Sequence, residues 1–324
     1  MPRTMPDRRA FIASTALAAI GVRAQAPYPA GPIRIVIPFA AGGATDVLGR
    51  DLGKGMQPHV GSQPLVIENM GGGAGVPALN AVVRAKADGY TLLFAASGNI
   101  TAQPLLMRQR VDILTQLAPV GMVATAPHVL VVSSKLPFRS VAELVAYARA
   151  HPGELDFGTA GVGGLAHLGT ELFARAAQID IKHIPYRGAS SGLTDLVSGQ
   201  IHAMFGTLPS FTGMVETGGV RVIGLTAPSA SAALKGIPLI SATVPGFGYK
   251  SWNGLFAPAA TPAPVIAQLH AAMAKAAADK AMAARFDTLG VDVALANPQQ
   301  LAEIVRKETA VWDKVIRDAK ITPT

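Results

Sequence analysis

The sequence predicts an α/β fold built as two lobes, with βαβ units and a parallel sheet covered on both faces by helices. Three observations support this prediction. Short runs of β-branched residues alternate with alanine-rich stretches of helical length, which is typical of βαβ units. The succession of strand, glycine-rich turn and helix occurs twice, over residues 33–56 and 155–177. Half of the 324 residues are hydrophobic and only 15% are charged, enough apolar material for two cores.

The first half of the chain reads as three strands with helices between them. The predicted strands, in chain order, are residues 33–37, 64–68 and 90–95. The glycine-rich turns after the first two strands are residues 41–46 and 71–75. Helical patterns follow these turns, to about residue 56 and over residues 76–86.

The second half continues the alternation and then changes character. The predicted strands are residues 128–133, 155–158, 182–186, 201–205 and 220–226. The predicted helices are residues 140–150, 165–177 and 190–198, the first of them capped by Ser140. From Thr261 the tail is predicted to be entirely helical, with Thr261 and Asn297 as N-caps, each followed by proline. Helical spacing places Trp312 on the apolar face of the last helix, so it is predicted to be a core residue.

Residues 1–26 have the three parts of an export signal. Arg8 and Arg9 end a basic stretch, residues 11–22 are apolar, and Ala24 and Ala26 are small residues at a cleavage site. The apolar stretch is too short to span a bilayer core of about 30 Å as a helix. We therefore expect an exported, periplasmic protein. The sequence does not distinguish twin-arginine from general secretory export, or cleavage after Ala24 from cleavage after Ala26. A third alternative is that these residues form an amphipathic helix that a cytoplasmic protein retains.

Composition and motifs exclude several classes of protein. The chain has no cysteine, which excludes disulfides and thiolate chemistry. Residues 1–26 carry +3 of the formal net charge of +8. The sequence has no cluster of basic residues interleaved with aromatic residues, so it does not indicate nucleic-acid binding. There is no catalytic or phosphate-loop motif, and the seven histidines are scattered singly. We expect no catalytic residues, no metal site and no cofactor.

The two glycine turns that precede helices have a physical use. A helix N-terminus exposes unpaired N–H groups and carries about half a positive charge. Glycines allow a ligand to approach these groups closely, so such a turn favours a carboxylate or a phosphate. The alternative is ordinary turn chemistry, with the first helix capped by Thr45 or Asp46.

Residues 32–46, PIRIVIPFAAGGATD, closely resemble the opening of the Bug receptors. These are the periplasmic solute-binding proteins of tripartite tricarboxylate transporters. The likeness spans the mature chain in the right order. It continues through residues 66–69, 87–93, 136–137, 158–164, 167–168, 184–188, 195–196, 199–200 and 252–258.

This resemblance implies a two-lobed periplasmic-binding-protein fold of the flytrap, type II-like kind, with a hinge and an interlobe cleft. It implies that the cleft captures a small organic carboxylate for membrane permease subunits. The chain is expected to be a monomer that binds no nucleic acid. The first lobe is predicted as residues 27–124 plus 252–324, and the second as residues 125–251.

The resemblance also points to ligand-binding residues in both lobes. In the first lobe they are Phe39, Ala41, Gly42, Gly43 and Asp46. In the second lobe they are Thr159, Ala160, Gly161, Gly164, His167, Arg187 and Asp195. Ser97 and Asn99 join them because they follow a strand at its carboxyl end, where open α/β sheets bind ligands. The sequence departs from the family at Gly164, where a serine is usual, which puts one polar contact in doubt.

Several of these residues have a structural alternative. Asp46 and Asp195 could cap or brace their helices, His167 could hold the second loop, and Arg187 could be solvated. Two other functions stay open: a ligand-presenting sensor subunit, and an enzyme on the same scaffold, for which Asp46 with His167 is the one available pair. The identity of the ligand is not predicted.

Overall fold

The computed structural model of the protein describes residues 28–106, 112–186 and 189–321. The predicted export signal and Arg187 lie outside the described residues. Within these ranges the chain forms two separate sheets flanked by helices, which confirms the predicted two-lobed α/β fold. No helix in the described ranges is long and apolar enough to cross a membrane.

The first sheet has six strands: β1 (Ile33–Ile37), β2 (Leu65–Asn69), β3 (Thr91–Ala96), β4 (Leu117–Pro127), β10 (Lys250–Pro258) and β11 (Asp292–Ala296). Their order in the sheet is β11-β4-β10-β3-β1-β2. β1 pairs in parallel with β2 and β3, whereas β10 and β11 are antiparallel to their neighbours. Its helices are α1 (Ala44–Met56), α2 (Val76–Val83), α3 (Ser97–Thr101), α4 (Ile113–Gln116), α9 (Ala263–Ala277), α10 (Lys280–Thr288) and α11 (Pro298–Asp318).

The second sheet has five strands: β5 (Val129–Ser133), β6 (Asp156–Thr159), β7 (Lys182–Pro185), β8 (Ala203–Gly206) and β9 (Val220–Leu225). Their order in the sheet is β7-β6-β8-β5-β9. Its helices are α5 (Val141–Ala150), α6 (Leu165–Ala177), α7 (Ala189–Ser198) and α8 (Thr212–Glu216). β6 is parallel to β7 and β8, and β5 is antiparallel to β8 and β9. Both sheets are therefore mixed, which corrects the prediction of parallel sheets.

The tail contains the clearest corrections to the predicted elements. It is not entirely helical, because β11 lies between α10 and α11 and pairs with β4 at the sheet edge. Thr261 is not an N-cap, since α9 begins one residue later than predicted, with Pro262 as its N-cap. Asn297 does cap α11, in a reciprocal capping box with Gln300. The pairing of β11 depends on a strand far away in sequence, so local pattern does not show it.

The chain passes between the two sheets twice, after β4 and after β9. Hydrogen bonds tie the two crossings together: Thr226 Oγ1 accepts from His128 N at 2.8 Å and donates to Tyr249 O at 2.7 Å. The Tyr249 hydroxyl lies 3.0 Å from His128 Nδ1, and burial lowers the pKa of His128 to about 3. The crossings are thus held by neutral groups. In the first sheet, β4 ends at Pro127 and β10 begins at Lys250. These strand ends lie within three residues of the predicted lobe boundaries, which remain a prediction.

The last helix, α11, packs on both lobes. Leu301 and Val305 in its first half belong to the apolar cluster of the first lobe that contains Trp252. Trp312 and Ile316 in its second half belong to the main apolar cluster of the second lobe. Trp312 is 4% exposed, which confirms it as a core residue.

Glu308 lies on α11 between these two contacts. Its Oε2 accepts a hydrogen bond from Trp252 Nε1 at 2.8 Å. Burial raises the pKa of Glu308 to about 7, and the hydrogen bond from Trp252 offsets only part of that rise. The carboxyl is therefore protonated in the folded protein over a pH range in which it ionises in the unfolded chain.

We expect Glu308→Gln to remove a pH dependence of stability. A carboxyl whose folded pKa is raised contributes stability that is present below its ordinary pKa of 4.5 and is lost as pH rises to about 7. Glutamine cannot ionise and can still accept from Trp252. Urea unfolding should show the variant gaining about 3 kcal/mol over the parent between pH 4.5 and pH 7.5.

The matched control is Glu303→Gln, at an exposed position on the same helix, which should follow the parent at every pH. Identical pH profiles for the parent and Glu308→Gln would contradict a raised pKa at this position.

Candidate functional site

The first glycine turn leads into α1 without a side-chain cap. The N-cap is Gly43, in extended backbone at φ −74° and ψ 164°, and neither Thr45 nor Asp46 caps the helix. The N–H groups of the first helical turn have no acceptor within the helix. Ala41 and Gly42, which precede them, are exposed. The turn therefore presents backbone donors at the positive end of a 13-residue helix.

Asp46 holds the shape of this turn. Its Oδ2 accepts from the amide of Gly42 at 2.8 Å, and its Oδ1 accepts from Asn69 Nδ2 at 2.9 Å. Arg50 Nε lies 2.9 Å from Oδ1. Burial would raise the pKa of Asp46, but the hydrogen bonds from Arg50, Gly42 and Asn69 outweigh it and lower that pKa. Asp46 is 3% exposed, and both of its carboxylate oxygens accept hydrogen bonds from the protein.

The turn before α6 repeats this geometry in the second lobe. Its N-cap is Gly164 at φ −73° and ψ 165°, again without a side-chain cap. Gly163 donates its amide hydrogen to Nδ1 of His167 at 3.0 Å, four residues along, as Gly42 does to Asp46. Gly42 and Gly163, before the two N-caps, both have positive φ, 82° and 77°, which favours glycine. The two lobes thus present matching uncapped helix N-termini.

A cluster of neutral side chains supports the second turn. Thr159 Oγ1 donates to Gly161 O at 3.2 Å and accepts from His183 Nε2. The rings of His167 and His183 are stacked with centroids 3.8 Å apart. Burial, with a contribution from His183, lowers the pKa of His167 to about 4, and burial lowers that of His183 to about 4. Both imidazoles are therefore neutral at physiological pH, and His167 can accept the Gly163 hydrogen.

The remaining predicted residues of the second lobe occupy the same loop or its support. Ala160 and Gly161 are half-buried in the turn after β6. Asp195 lies on α7, where its Oδ2 accepts from the hydroxyl of Tyr186 at 2.6 Å. Burial, followed by this hydrogen bond, raises the pKa of Tyr186 to about 12. The Tyr186 carbonyl oxygen in turn lies near Gly161, so Asp195 reaches the turn through Tyr186.

In the first lobe, α3 lies beside the end of β1 that leads into the first glycine turn. Ser97 is fully buried and its Oγ accepts from the amide of Trp252 at 3.4 Å. A Cβ added at Gly75 would lie 2.9 Å from Asn99 Nδ2 and 2.9 Å from Pro38 Cβ, which places Asn99 beside the strand end that leads to Phe39. The Phe39 carbonyl accepts from Asn69 Nδ2 at 3.1 Å.

Gly98 of α3 contacts the start of α6 in the other lobe. A Cβ added at Gly98 would lie 2.8 Å from the backbone nitrogen of Leu165. Ala102 and Leu106, which follow α3, belong to the apolar cluster of the second lobe. The structure therefore has the lobes in contact at the second glycine turn.

Sequence reasoning missed four residues that shape this region: Asn69, Gly98, Gly163, and Gln103, whose Oε1 would lie 3.0 Å from a Cβ added at Gly163. Asn69 ends β2 inside a motif that carried the family resemblance, and Gly163 lies in the quoted second loop, so these two had a signal. Gly98 and Gln103 had none, because their importance comes from contact with the other lobe.

An open groove of about 430 Å³ lies beside α1, and none of the predicted ligand-binding residues lines it. Its lining residues are Arg50, Gly53, Lys54, Gln57, Pro58, Leu65 and Ile67. In the described part of the chain, no group of three or more His, Asp or Glu side chains could hold a metal ion.

Known proteins are similar to this chain in sequence and in fold. The family model described as "Tripartite tricarboxylate transporter family receptor" (TctC) matches residues 48–321. BugT of Bordetella pertussis is 33% identical to this chain over 311 residues, covering 95% of this chain and 94% of BugT.

Solved structures of periplasmic binding proteins have the same fold as this chain. Rpa4515 of R. palustris, solved with adipate, has a TM-score of 0.87 at 33% identity, covering 92% of this chain and 100% of that one. The periplasmic binding protein BugD has a TM-score of 0.84 at 29% identity, covering 91% and 99%. These likenesses confirm the resemblance seen in the sequence.

We expect the His167–His183 pair to make the fold sensitive to acid. A histidine whose folded pKa is lowered to about 4 loses stabilising effect as pH falls below its ordinary value of 6.5, because the unfolded chain takes up the proton first. His167→Asn keeps an acceptor at the position of Nδ1 but cannot titrate there. Its free energy of unfolding should fall by about 2 kcal/mol less than the parent's between pH 6.5 and pH 4.5.

This effect has the opposite sign to that at Glu308, so the two variants separate the contributions. The control is His59→Asn, at an exposed position outside the cluster. Equal loss of stability in the parent and in His167→Asn over this pH range would refute the assignment of a neutral, accepting His167.

Proposed function

We propose that this chain, which belongs to the tripartite tricarboxylate transporter receptor family, is a periplasmic receptor that binds a small organic carboxylate between its lobes and delivers it to the membrane permease subunits of such a transporter. The observation that carries this proposal is the pair of uncapped helix N-termini at Gly43 and Gly164. Binding of adipate by the related Rpa4515 supports the same class of ligand.

The physics of the two turns favours an anion. Each helix N-terminus carries about half a positive charge, so two of them together match one carboxylate. Ionised carboxylates only accept hydrogen bonds, and the first-turn amides only donate them. The negative charge of Asp46 is compensated, because the carboxylate pairs with Arg50 and accepts the amide hydrogen of Gly42. No cationic side chain is required.

We divide the predicted residues into those that contact the ligand and those that hold the turns. The proposed first-lobe contacts are Phe39, Ala41, Gly42, Gly43, Ser97 and Asn99. The proposed second-lobe contacts are Thr159, Ala160, Gly161, Gly164 and Arg187. Asp46, His167 and Asp195 are proposed to hold the turns through the hydrogen bonds described above.

The proposal includes export through residues 1–26, a monomeric receptor, and closure of lobes 27–124 plus 252–324 and 125–251 about the two crossings. Receptors of this family bind solutes, and we propose no catalysis for this chain. Asp46 and His167, the pair nominated from the sequence for acid–base chemistry, each serve their own turn. BugD, a periplasmic binding protein, supports the proposed location.

Isothermal titration of the purified mature chain with mono- and dicarboxylates of two to six carbons tests the proposal. We expect at least one acid to bind, and its neutral amide analogue not to bind, because the amide lacks the charge that the helix N-termini favour. A folded protein that binds no acid of the panel, or binds amide and acid equally, would overturn the proposed function.

Gly98→Ala tests whether binding requires the observed contact between the lobes. The added Cβ would meet the Leu165 backbone at 2.8 Å, which cannot shift as a flexible side chain can. We expect carboxylate affinity to fall about tenfold or more, equivalent to about 1.4 kcal/mol, with little change in unfolding temperature without ligand. Gly213→Ala, where an added Cβ meets nothing within 4 Å, is the control. Unchanged affinity in Gly98→Ala would show that closure at this contact is not required.

A further inference from the structure

Gln103 occupies an unusual place between the lobes. It begins the short helical turn Gln103–Leu106 that follows α3. Its neighbours Ala102 and Leu106 are fully buried in the apolar cluster of the second lobe. Gln103 itself is only 5% exposed. A polar side chain is thus enclosed where a segment from the first sheet meets the second lobe.

The carboxamide of Gln103 lies beside the second glycine turn. A Cβ added at Gly163 would lie 3.0 Å from Gln103 Oε1. Gly163 directly precedes Gly164, the N-cap of α6. The Gly163 amide is not available to Gln103, because it donates to His167 Nδ1. Gln103 Oε1 therefore borders the helix N-terminus at which we place the ligand carboxylate.

This oxygen lacks a hydrogen-bond donor in the described structure. Among residues 28–106, 112–186 and 189–321, no donor reaches Gln103 Oε1, although the atom is buried. Buried side-chain acceptors in folded proteins are nearly always paired, since leaving one unpaired is costly. A second feature thus points to a ligand at the uncapped α6 N-terminus.

We propose that Gln103 is a specificity-determining residue whose Oε1 accepts a hydrogen bond from a hydroxyl group carried by the bound carboxylate. This inference rests on the proposed carboxylate-binding function. The ionised carboxylate itself cannot be the partner, because it has no hydrogen to donate. The donor must therefore be a substituent of the ligand, close enough to its carboxylate to reach from α6 to Gln103.

A hydroxyl fits this position better than an ammonium group. The positive ends of two helices repel a cation. An ammonium group would need a carboxylate partner, and the carboxylates beside the turns already face other groups: Asp46 pairs with Arg50, Asp195 accepts from Tyr186, and Glu171 lies 3.8 Å from His167 Nε2. The ligand class assigned by the structure is a hydroxycarboxylate. A site built to pair with a hydroxyl discriminates strongly against an analogue that lacks it.

Titration with pairs of acids that differ by one hydroxyl tests this inference. The pairs are malate with succinate and lactate with propionate, and aspartate replaces the hydroxyl of malate by an ammonium group. For the parent we expect the hydroxy acid of at least one pair to bind about tenfold or more tighter than its deoxy partner, and aspartate to bind more weakly than malate.

Gln103→Leu should abolish this preference while it leaves the affinity for the deoxy acid within about threefold, because leucine fills a similar volume but accepts no hydrogen bond. Gln103→Asn, a shorter amide that keeps the chemistry but withdraws the oxygen, should also lose the preference and covers the case in which the leucine variant does not fold. The control is Gln268→Leu, at an exposed position on α9.

The outcomes separate this inference from the proposed function. If hydroxy and deoxy acids bind equally, or if Gln103→Leu weakens both partners equally, Gln103 does not read a hydroxyl and the inference is overturned. If aspartate binds most tightly, the donor is an ammonium group and the hydroxyl assignment is wrong. If no carboxylate binds to the folded parent, the proposed function fails first.

Discussion

One hydrogen bond, made once in each lobe, organises the structure around the cleft. A glycine amide at positive φ donates to the side chain four residues along, from Gly42 to Asp46 in the first lobe and from Gly163 to His167 in the second. The bond replaces the missing side-chain cap as the element that holds the turn, so the N-cap position can be glycine. The first-turn amides of α1 and α6 are thereby left without a side-chain cap, and the proposed ligand carboxylate would accept their hydrogens.

The two lobes achieve this bond with different chemistry, and the surroundings of each acceptor follow from that difference. A buried carboxylate needs compensation, and Arg50 and Asn69 supply it to Asp46. A histidine accepts at Nδ1 only when that nitrogen is unprotonated, and burial against His183 keeps His167 neutral. The hinge uses the same solution, with a neutral His128 against Tyr249. A chain with few charges can therefore build an anion site from backbone dipoles.

Local pattern predicted what local forces determine. Residues 33–37 and 165–177 were predicted with the bounds that β1 and α6 have, because a β-branched run between prolines and an amphipathic stretch after a glycine turn carry their own signal. β4, β10 and β11 were not predicted, since their pairing with one another joins residues that are distant in sequence. The roles of Gly98 and Gln103 were equally hidden, because both depend on the opposite lobe. The sequence motifs located both glycine turns. They did not predict the hydrogen bond from Gly163 to His167, which matches the bond from Gly42 to Asp46 in the first lobe.

The central claim is that the ligand carboxylate is held by backbone amides at the two helix N-termini. A crystal structure of the mature chain with a bound carboxylate, identified by titration, measures this most directly. The account predicts carboxylate oxygens within about 3.2 Å, directly or through one water, of amide nitrogens in residues 44–46 and 165–167. A carboxylate held instead by a cationic side chain away from both helix N-termini would contradict it.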